Sequence, residues 1–389
     1  MKKQLMGIEV YHMRKLVAGI LTFCIIGFCF LPMQAAAEES PVSESAYVLM
    51  EQESGTVLAE QQADVPMPMG MLAKLMTVLL AAEQLESGNW TMDTVLTASD
   101  NVNNCKGATV WLVSGETMSV SDLLKAVIIG NANDAATVLA ESVCGSQDAF
   151  VMEMNARAFD LGMRQTVFTS PQGYDDPKQL TTARDMALLC RRLADYDCLT
   201  PYFQTWRDFL RGEATELVNE NTLSRTYEGH IGFKASHTEQ SGWCLAEGAT
   251  RNGMTCIVVI LNGEEDQRFA DGKQLLKTGF SQYRVMQPAF SDEFLKPIPV
   301  RGGVSASVCF TADSLHSVVV PKSQPDLTAV LQLPDYVEAP VQKGREIGSV
   351  AFYNGDTLLY ETALVTAEPV EAMTFSRAFA KIAVKMLKF

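Results

Sequence analysis

The 389-residue chain has little of what marks a metal protein, a nucleic-acid binder or a disulfide-built miniature. Its nine cysteines include no Cys-x-x-Cys pair and its four histidines are scattered, so no zinc pattern is present, and neither a metal nor another cofactor is expected. Basic side chains are in deficit, 31 against 46 acidic, for a formal charge of -15. A chain without a basic surface cannot neutralise phosphates, which argues against nucleic acid as its main partner. Proline and glycine number only 15 and 26 and no repeat or low-complexity tract occurs, which excludes collagen and disorder. What remains is a globular chain, 47% hydrophobic, able to bury a sizeable core.

Residues 1–37 have the layout of a secretory signal: Arg14-Lys15, an apolar run from Leu16 to Leu31, then Pro32 and Ala35-Ala36-Ala37 before Glu38-Glu39. The alternative is a permanent membrane span, but the run is near the lower length limit for one. Cleavage after Ala37 removes four basic residues and one acid, so the charge of the exported body goes from -15 to -18. Seven cysteines then remain, so at least one is unpaired or pairs with another chain. Cys244 and Cys256 lie on two apolar runs flanking Arg251-Asn252-Gly253 and are the best candidates for a bridge; buried free thiols are the alternative reading.

The other end contrasts with the acidic body. Arg377, Lys381, Lys385 and Lys388 recur at helical spacing, while Phe375, Phe379, Ile382, Met386 and Phe389 fall on the opposite face. Residues 371–389 are therefore expected to form a basic amphipathic helix lying on an anionic membrane surface, the alternative being a helix docked on its own domain.

Between the ends, strands are expected at Ala46 to Glu51 and Thr56 to Ala59, joined by a turn at Glu53-Ser54-Gly55. Helices follow at Met71 to Glu86, Ser121 to Ile129, Asp134 to Val143, Gln147 to Leu161 and Ala183 to Leu193. Strands return at Gly242 to Ala249 and Met254 to Leu261, before a helix over Gln267 to Tyr283. Strands around a helical middle imply an α+β domain, residues 38–288. The texture changes near Pro288 to Asp292, and short apolar runs separated by turns, with Asn354-Gly355 the strongest hairpin signal, imply a small all-β domain over 289–370.

Three stations stand out in order: Met71-Leu72-Ala73-Lys74, Asn131-Ala132-Asn133, and Lys234-Ala235-Ser236-His237. With them come Val65-Pro66-Met67-Pro68, Leu75-Met76-Thr77, Asn133-Asp134-Ala135-Ala136, Phe168 through Gly173, Thr181-Thr182-Ala183-Arg184-Asp185, and Asn219 with Asn221. In this set and order the chain resembles the serine D-alanyl-D-alanine carboxypeptidases, the low-molecular-mass penicillin-binding proteins that trim peptidoglycan stem peptides. The resemblance covers nearly the whole mature chain. It implies a β-lactamase/transpeptidase-like domain, an antiparallel sheet with a helical region, followed by the β-domain and the membrane anchor.

The family's catalytic signature is Ser-x-x-Lys, Ser-x-Asn and Lys-Thr-Gly, and here each is altered. Met71 stands where the acylated hydroxyl should be, and a thioether has no proton to give up and forms no ester. Asn131 replaces the second motif's hydroxyl, and Ala235 and Ser236 replace the hydroxyl and glycine of the third. Ser236 does not restore the hydroxyl of position 235, because adjacent strand residues point to opposite faces. A literal Lys277-Thr278-Gly279 ends a helical run and is a chance match. Asn133 also has a bland reading, as the cap of the following helix.

The resemblance with these losses implies an exported pseudoenzyme of the cell envelope, on the outer face of the cytoplasmic membrane, that binds peptidoglycan stem peptides or a wall-synthesis partner. Lys74, Asn133, Lys234 and His237 are the expected ligand-binding residues, with Lys74 and Lys234 equally readable as relics paired with local acids or water. The alternative is an active carboxypeptidase with an unrecognised nucleophile, for which Cys105 is the thiol to test with Lys74 as base. A third reading is an interaction protein whose groove is irrelevant.

Overall fold

The computed structural model describes residues 45–288 and 296–386. The expected signal at 1–37, the texture change after Pro288, and Lys388 and Phe389 lie outside the described residues. The strands β1 (Ala46–Glu51), β2 (Val57–Gln61) and β3 (Met67–Pro68) lead into a 3-10 turn, Gly70–Ala73, and then α1 (Lys74–Glu86). The helical region continues through β4 (Val95–Thr97), β5 (Thr117–Ser119), α2 (Val120–Ile128), α3 (Asn133–Cys144), α4 (Gln147–Asp160), β6 (Leu180–Thr181) and α5 (Ala183–Leu193). After α6 (Thr200–Gln204), β7 (Arg207–Leu210), β8 (Thr215–Val218) and α7 (Leu223–Thr226) come β9 (His230–Thr238), β10 (Gly242–Arg251), β11 (Met254–Gly263) and α8 (Gln267–Gln282).

β1, β2 and β9 to β11 form one antiparallel sheet in the order β2-β1-β11-β10-β9, with β9 at its edge. Both faces are covered, which is why β11 reads as the continuous apolar run Cys256-Ile257-Val258-Val259-Ile260-Leu261 rather than as an alternation. Ile257, Val259 and Leu261 join Cys244, Ala246 and the helices α1 to α5 in one core. On the other face α8 closes in, with Gly279 against Leu49 and the Cys256 thiol and Gly272 against Leu245. Cys244 and Cys256 therefore point to opposite faces, so no bridge joins them, and the seven described cysteines are all free thiols. Lys277-Thr278-Gly279 lies inside α8, which runs to Gln282, and Gly279 serves packing there.

The helices start where the sequence supplies acceptors. The side chains of Ser119, Ser146 and Thr182 accept from the backbone N–H groups of Asp122, Ala149 and Asp185 at the starts of α2, α4 and α5. α3 does not follow the capping reading of Asn133. Its cap position is Ala132, without a side-chain bond, and the Asn133 amide is used elsewhere.

The remaining strands are β12 (Tyr283–Met286), β13 (Ile298–Arg301), β14 (Ser307–Val308), β15 (Phe310–Ala312), β16 (Val318–Pro321), β17 (Thr328–Gln332), β18 (Val337–Glu338), β19 (Glu346–Asn354) and β20 (Thr357–Thr366). They enclose a separate core built around Val308, Val350, Phe352 and Leu364. β12 pairs with β16, so the β-structure begins at Tyr283, within the range assigned to the first domain. At the other limit Glu371 to Met373 still bond the β-structure, and the terminal helix α9 is Phe375–Met386.

Candidate functional site

Three elements converge at one place. The 3-10 turn ahead of α1 carries Met71, the break between α2 and α3 carries Asn131 and Asn133, and β9 carries Lys234 and Ser236. Close approach is enforced by glycine. A Cβ on Gly173, whose φ is +81°, would stand 2.4 Å from the Gly70 carbonyl oxygen and 2.8 Å from the Met71 Cα.

Met71 fills the centre. Its Sδ accepts a hydrogen bond from Asn131 Nδ2 at 3.1 Å, and Asn131 reaches it from a left-handed backbone, φ 56°. The thioether is held where the resemblance places the nucleophile, and the side chain touching it is a second group without a hydroxyl. Three positions on, Lys74 Nζ donates to the Gln172 carbonyl at 2.7 Å, and Thr77 Oγ1 donates to the Pro171 carbonyl at 2.8 Å. Lys74 has no exposed surface. Burial holds its ammonium well below the usual lysine range; the Lys234 charge adds to that, while Glu220 and Cys105 oppose it. Burial likewise pushes Lys234 down to about 8, against the attraction of Glu220. The sole hydrogen bond of Lys234 among the described residues is a long one, 3.4 Å, to the Val127 carbonyl.

Asn133 Nδ2 donates to the Lys106 carbonyl at 2.5 Å. The side-chain oxygens of Asn131, Asn133 and Ser236 are buried without a hydrogen-bond partner. Unused buried acceptors are costly, and here three residues of the altered motifs carry them.

Met71, Lys74, Asn131, Asn133, Lys234 and Ser236 are thus brought together. Ala235 lies on the other face of β9 from Lys234 and Ser236, and so does His237. His237 is exposed and stacked on Trp243, with ring centroids 3.9 Å apart. The expected ligand surface of Lys74, Asn133, Lys234 and His237 is therefore divided: three are together and covered, and the fourth faces away from them.

Residues that sequence reasoning assigned no role complete the site. Glu220 is the carboxylate that acts on both lysines, and Gln172 supports Lys74 through its carbonyl, its Nε2 bonding Thr137 Oγ1 at 2.6 Å and Gln147 Oε1 at 2.8 Å. A backbone carbonyl partner such as that of Gln172 leaves no composition signal.

Cys105 sits beside Thr137, its Sγ 3.2 Å from Thr137 Oγ1. Burial pushes its thiol up, with Asp134 and Glu141 adding to the effect and hydrogen bonds from Thr137 and Tyr174 opposing it. An activated cysteine needs the reverse, a lowered pKa in an electropositive setting.

The arrangement places the three altered motifs around one cleft, as in a D-alanyl-D-alanine carboxypeptidase-like domain, and comparison with known proteins agrees. The D-alanyl-D-alanine carboxypeptidase family matches residues 33–265, and the C-terminal domain of penicillin-binding protein 5 matches residues 283–372. The chain belongs to the D-alanyl-D-alanine carboxypeptidase family. It is 28% identical over 362 residues to D-alanyl-D-alanine carboxypeptidase DacF of Bacillus subtilis, covering 92% of this chain and 93% of that one. With DacC of Escherichia coli identity is 32% over 371 residues, covering 92% of each. Among solved structures, penicillin-binding protein 5 of Haemophilus influenzae superposes with a TM-score of 0.74 at 27% identity, over 85% of this chain and 98% of that one. The fold is that of these cell-wall peptidases, a peptidase-like domain followed by a β-domain.

Proposed function

We propose that the protein is an exported, membrane-associated pseudoenzyme of this family that binds peptidoglycan stem peptides without cleaving them. One observation carries the reading: the position that must supply the acyl-accepting oxygen holds the Met71 thioether, hydrogen-bonded to the Asn131 amide. The neighbouring groups give no replacement. Thr77 is turned to the Pro171 carbonyl, Ser236 is fully buried, and the Cys105 thiol is held protonated.

Binding is supported by two features. β9 is the edge of the five-stranded sheet, so an extended peptide can add to it by main-chain hydrogen bonds. Beside that edge lie Asn131 and Asn133, whose unused side-chain oxygens are buried and lend the groove polarity from within. Lys74 and Lys234 then act from beneath as a source of positive potential rather than as direct contacts, since neither is exposed.

Export rests on the leader-like segment at 1–37, and peripheral membrane attachment on α9. Its apolar side chains Phe375, Phe379, Ile382 and Met386 are exposed. Arg377 and Lys381 turn toward the β-structure instead: Arg377 pairs with Glu371, and Lys381 Nζ donates to the Val304 carbonyl at 3.3 Å. A helix docked by its apolar face would show the opposite arrangement. No helix among the described residues is long and apolar enough to cross a membrane.

The test is a stem-peptide mimic ending in D-alanyl-D-alanine. The pseudoenzyme raises its melting temperature with that ligand and releases no D-alanine. Release of D-alanine would establish the catalytic alternative, and absence of both effects would leave an interaction protein whose groove is idle.

A further inference from the structure

A second recess lies away from the groove, where the β10–β11 turn, the end of α8, β12 and the residue after β16 meet. It has a volume of about 320 Å³ and is lined by Arg251, Lys277, Arg284 and Lys322, with Phe280 and Tyr283 among the other walls. Among the described residues, no acidic side chain lines it. In a chain of formal charge -15, four cations around one small recess are a local reversal of sign.

The surroundings leave much of this charge unspent. Arg251 lies over the rings of Tyr227 and Phe280, 4.6 and 5.3 Å from their centroids, and its Nε and Nη2 reach the Glu228 carbonyl at 3.3 and 3.2 Å. Arg251 has no carboxylate partner among the described residues. The Lys277 side chain has no hydrogen bond or ion pair among the described residues. Lys322 Nζ donates to the Phe280 carbonyl at 2.6 Å, near the end of α8. Arg284 Nη2 pairs with Asp326 at 2.9 Å and donates to the Gln324 carbonyl at 3.1 Å, while its Nε is buried without a partner. One helix C-terminus offers about half a negative charge and Asp326 one more, which together fall well short of four cations.

We propose that this recess is a binding site for a small phosphorylated ligand, carrying one phosphate or a diphosphate. Two guanidinium groups match phosphate oxygens in pairs, and Lys277 adds an unengaged point charge. The charge present exceeds what a single carboxylate would balance. A volume at the lower end of small-molecule pockets fits a compact anion, and Phe280 and Tyr283 leave an apolar wall for its carbon portion.

The experiment uses the mature full chain at constant ionic strength, with chloride as the compensating anion. Inorganic pyrophosphate and inorganic phosphate are titrated by calorimetry and by melting temperature. Saturable binding of pyrophosphate is expected, weakened about tenfold in Lys277→Gln, the loss of one charge-assisted contact. Lys277 holds no structural partner, so this variant folds, and Lys277→Glu is expected to abolish binding. A response no larger than that to chloride, or equal affinity in Lys277→Gln and wild type, overturns the proposal. Phosphatidylglycerol vesicles then identify the source, using a Phe379→Glu background to remove the terminal helix's own attachment. Vesicles that displace pyrophosphate assign a lipid headgroup; vesicles that do not assign a soluble phosphorylated ligand.

Discussion

The proposed loss of catalysis turns on one oxygen: Met71 stands where the resemblance places the nucleophilic hydroxyl, with Lys74 three residues on. The changes at 131 and 236 are in the same site and that at 235 is on the same strand, so restoring position 71 alone is expected to be insufficient. Met71→Ser with Asn131→Ser, Ala235→Thr and Ser236→Gly is predicted to acquire covalent penicillin labelling. Met71→Ser alone should label slower by about 100-fold or more, the usual cost of an unassisted nucleophile. Equal labelling of the two variants on a denaturing gel would show the other three changes to be irrelevant. Lys234 gives a second prediction. Its pKa is depressed to about 8 in the fold, against about 10.4 unfolded, so the unfolded state binds more protons between these values. The cost of burying the amine is full below about pH 8 and fades as pH rises toward 10.4, so stability should rise over that window. Lys234→Met is expected to be more stable at neutral pH, by about 1–3 kcal/mol, with a smaller rise. Urea midpoints near neutral pH and at about pH 9.5 check both. The sequence showed which residue types meet at this site, because the motifs keep their spacing. It did not show the Asn131 to Met71 bond, which needs a left-handed backbone, or the cover over Lys74, which depends on Pro171 to Gly173 nearly a hundred residues away.

At the level of elements, the long helices and the hairpin of β10 and β11 were legible because periodicity and caps agree. Short pieces were not: the β7–β8 hairpin and the helices α6 and α7 are four or five residues each, too brief for a period to establish itself. Behind β9, His230 Nδ1 lies 2.6 Å from Glu247 Oε1, and Asn221 Nδ2 donates to Glu247 Oε2 at 2.8 Å, all buried. This cluster joins Asn221 to the sheet, and Asn219 Oδ1 in turn accepts from the Asn221 backbone N–H at 2.9 Å. Glu247→Ala strands both partners and is expected to cost about 3–5 kcal/mol, measurable by urea unfolding. Among the elements α9 carries the membrane prediction. Phe379→Glu with Ile382→Glu should lose sedimentation with anionic vesicles, and wild-type binding should weaken with salt. Unchanged sedimentation of the double variant would place the attachment elsewhere.

For the whole molecule, the preserved scaffold and the altered centre have to be read together. Two cores, one around the five-stranded sheet and one in the β-structure from Tyr283 onward, match the family's organisation along nearly the full chain. The boundary was legible as a change of texture, but β12 precedes that change, since the pairing of β12 with β16 is long-range and leaves no local mark. Similarity assigns the family and is silent on turnover, whose proposed loss rests on the residues at 71, 131, 235 and 236. The most direct measurement is incubation of the purified mature protein with a fluorescent penicillin, followed by denaturation, with Lys74→Ala beside it. The account predicts no covalent label on either protein. A stable label on the wild type that disappears in Lys74→Ala would reveal a working nucleophile and contradict it.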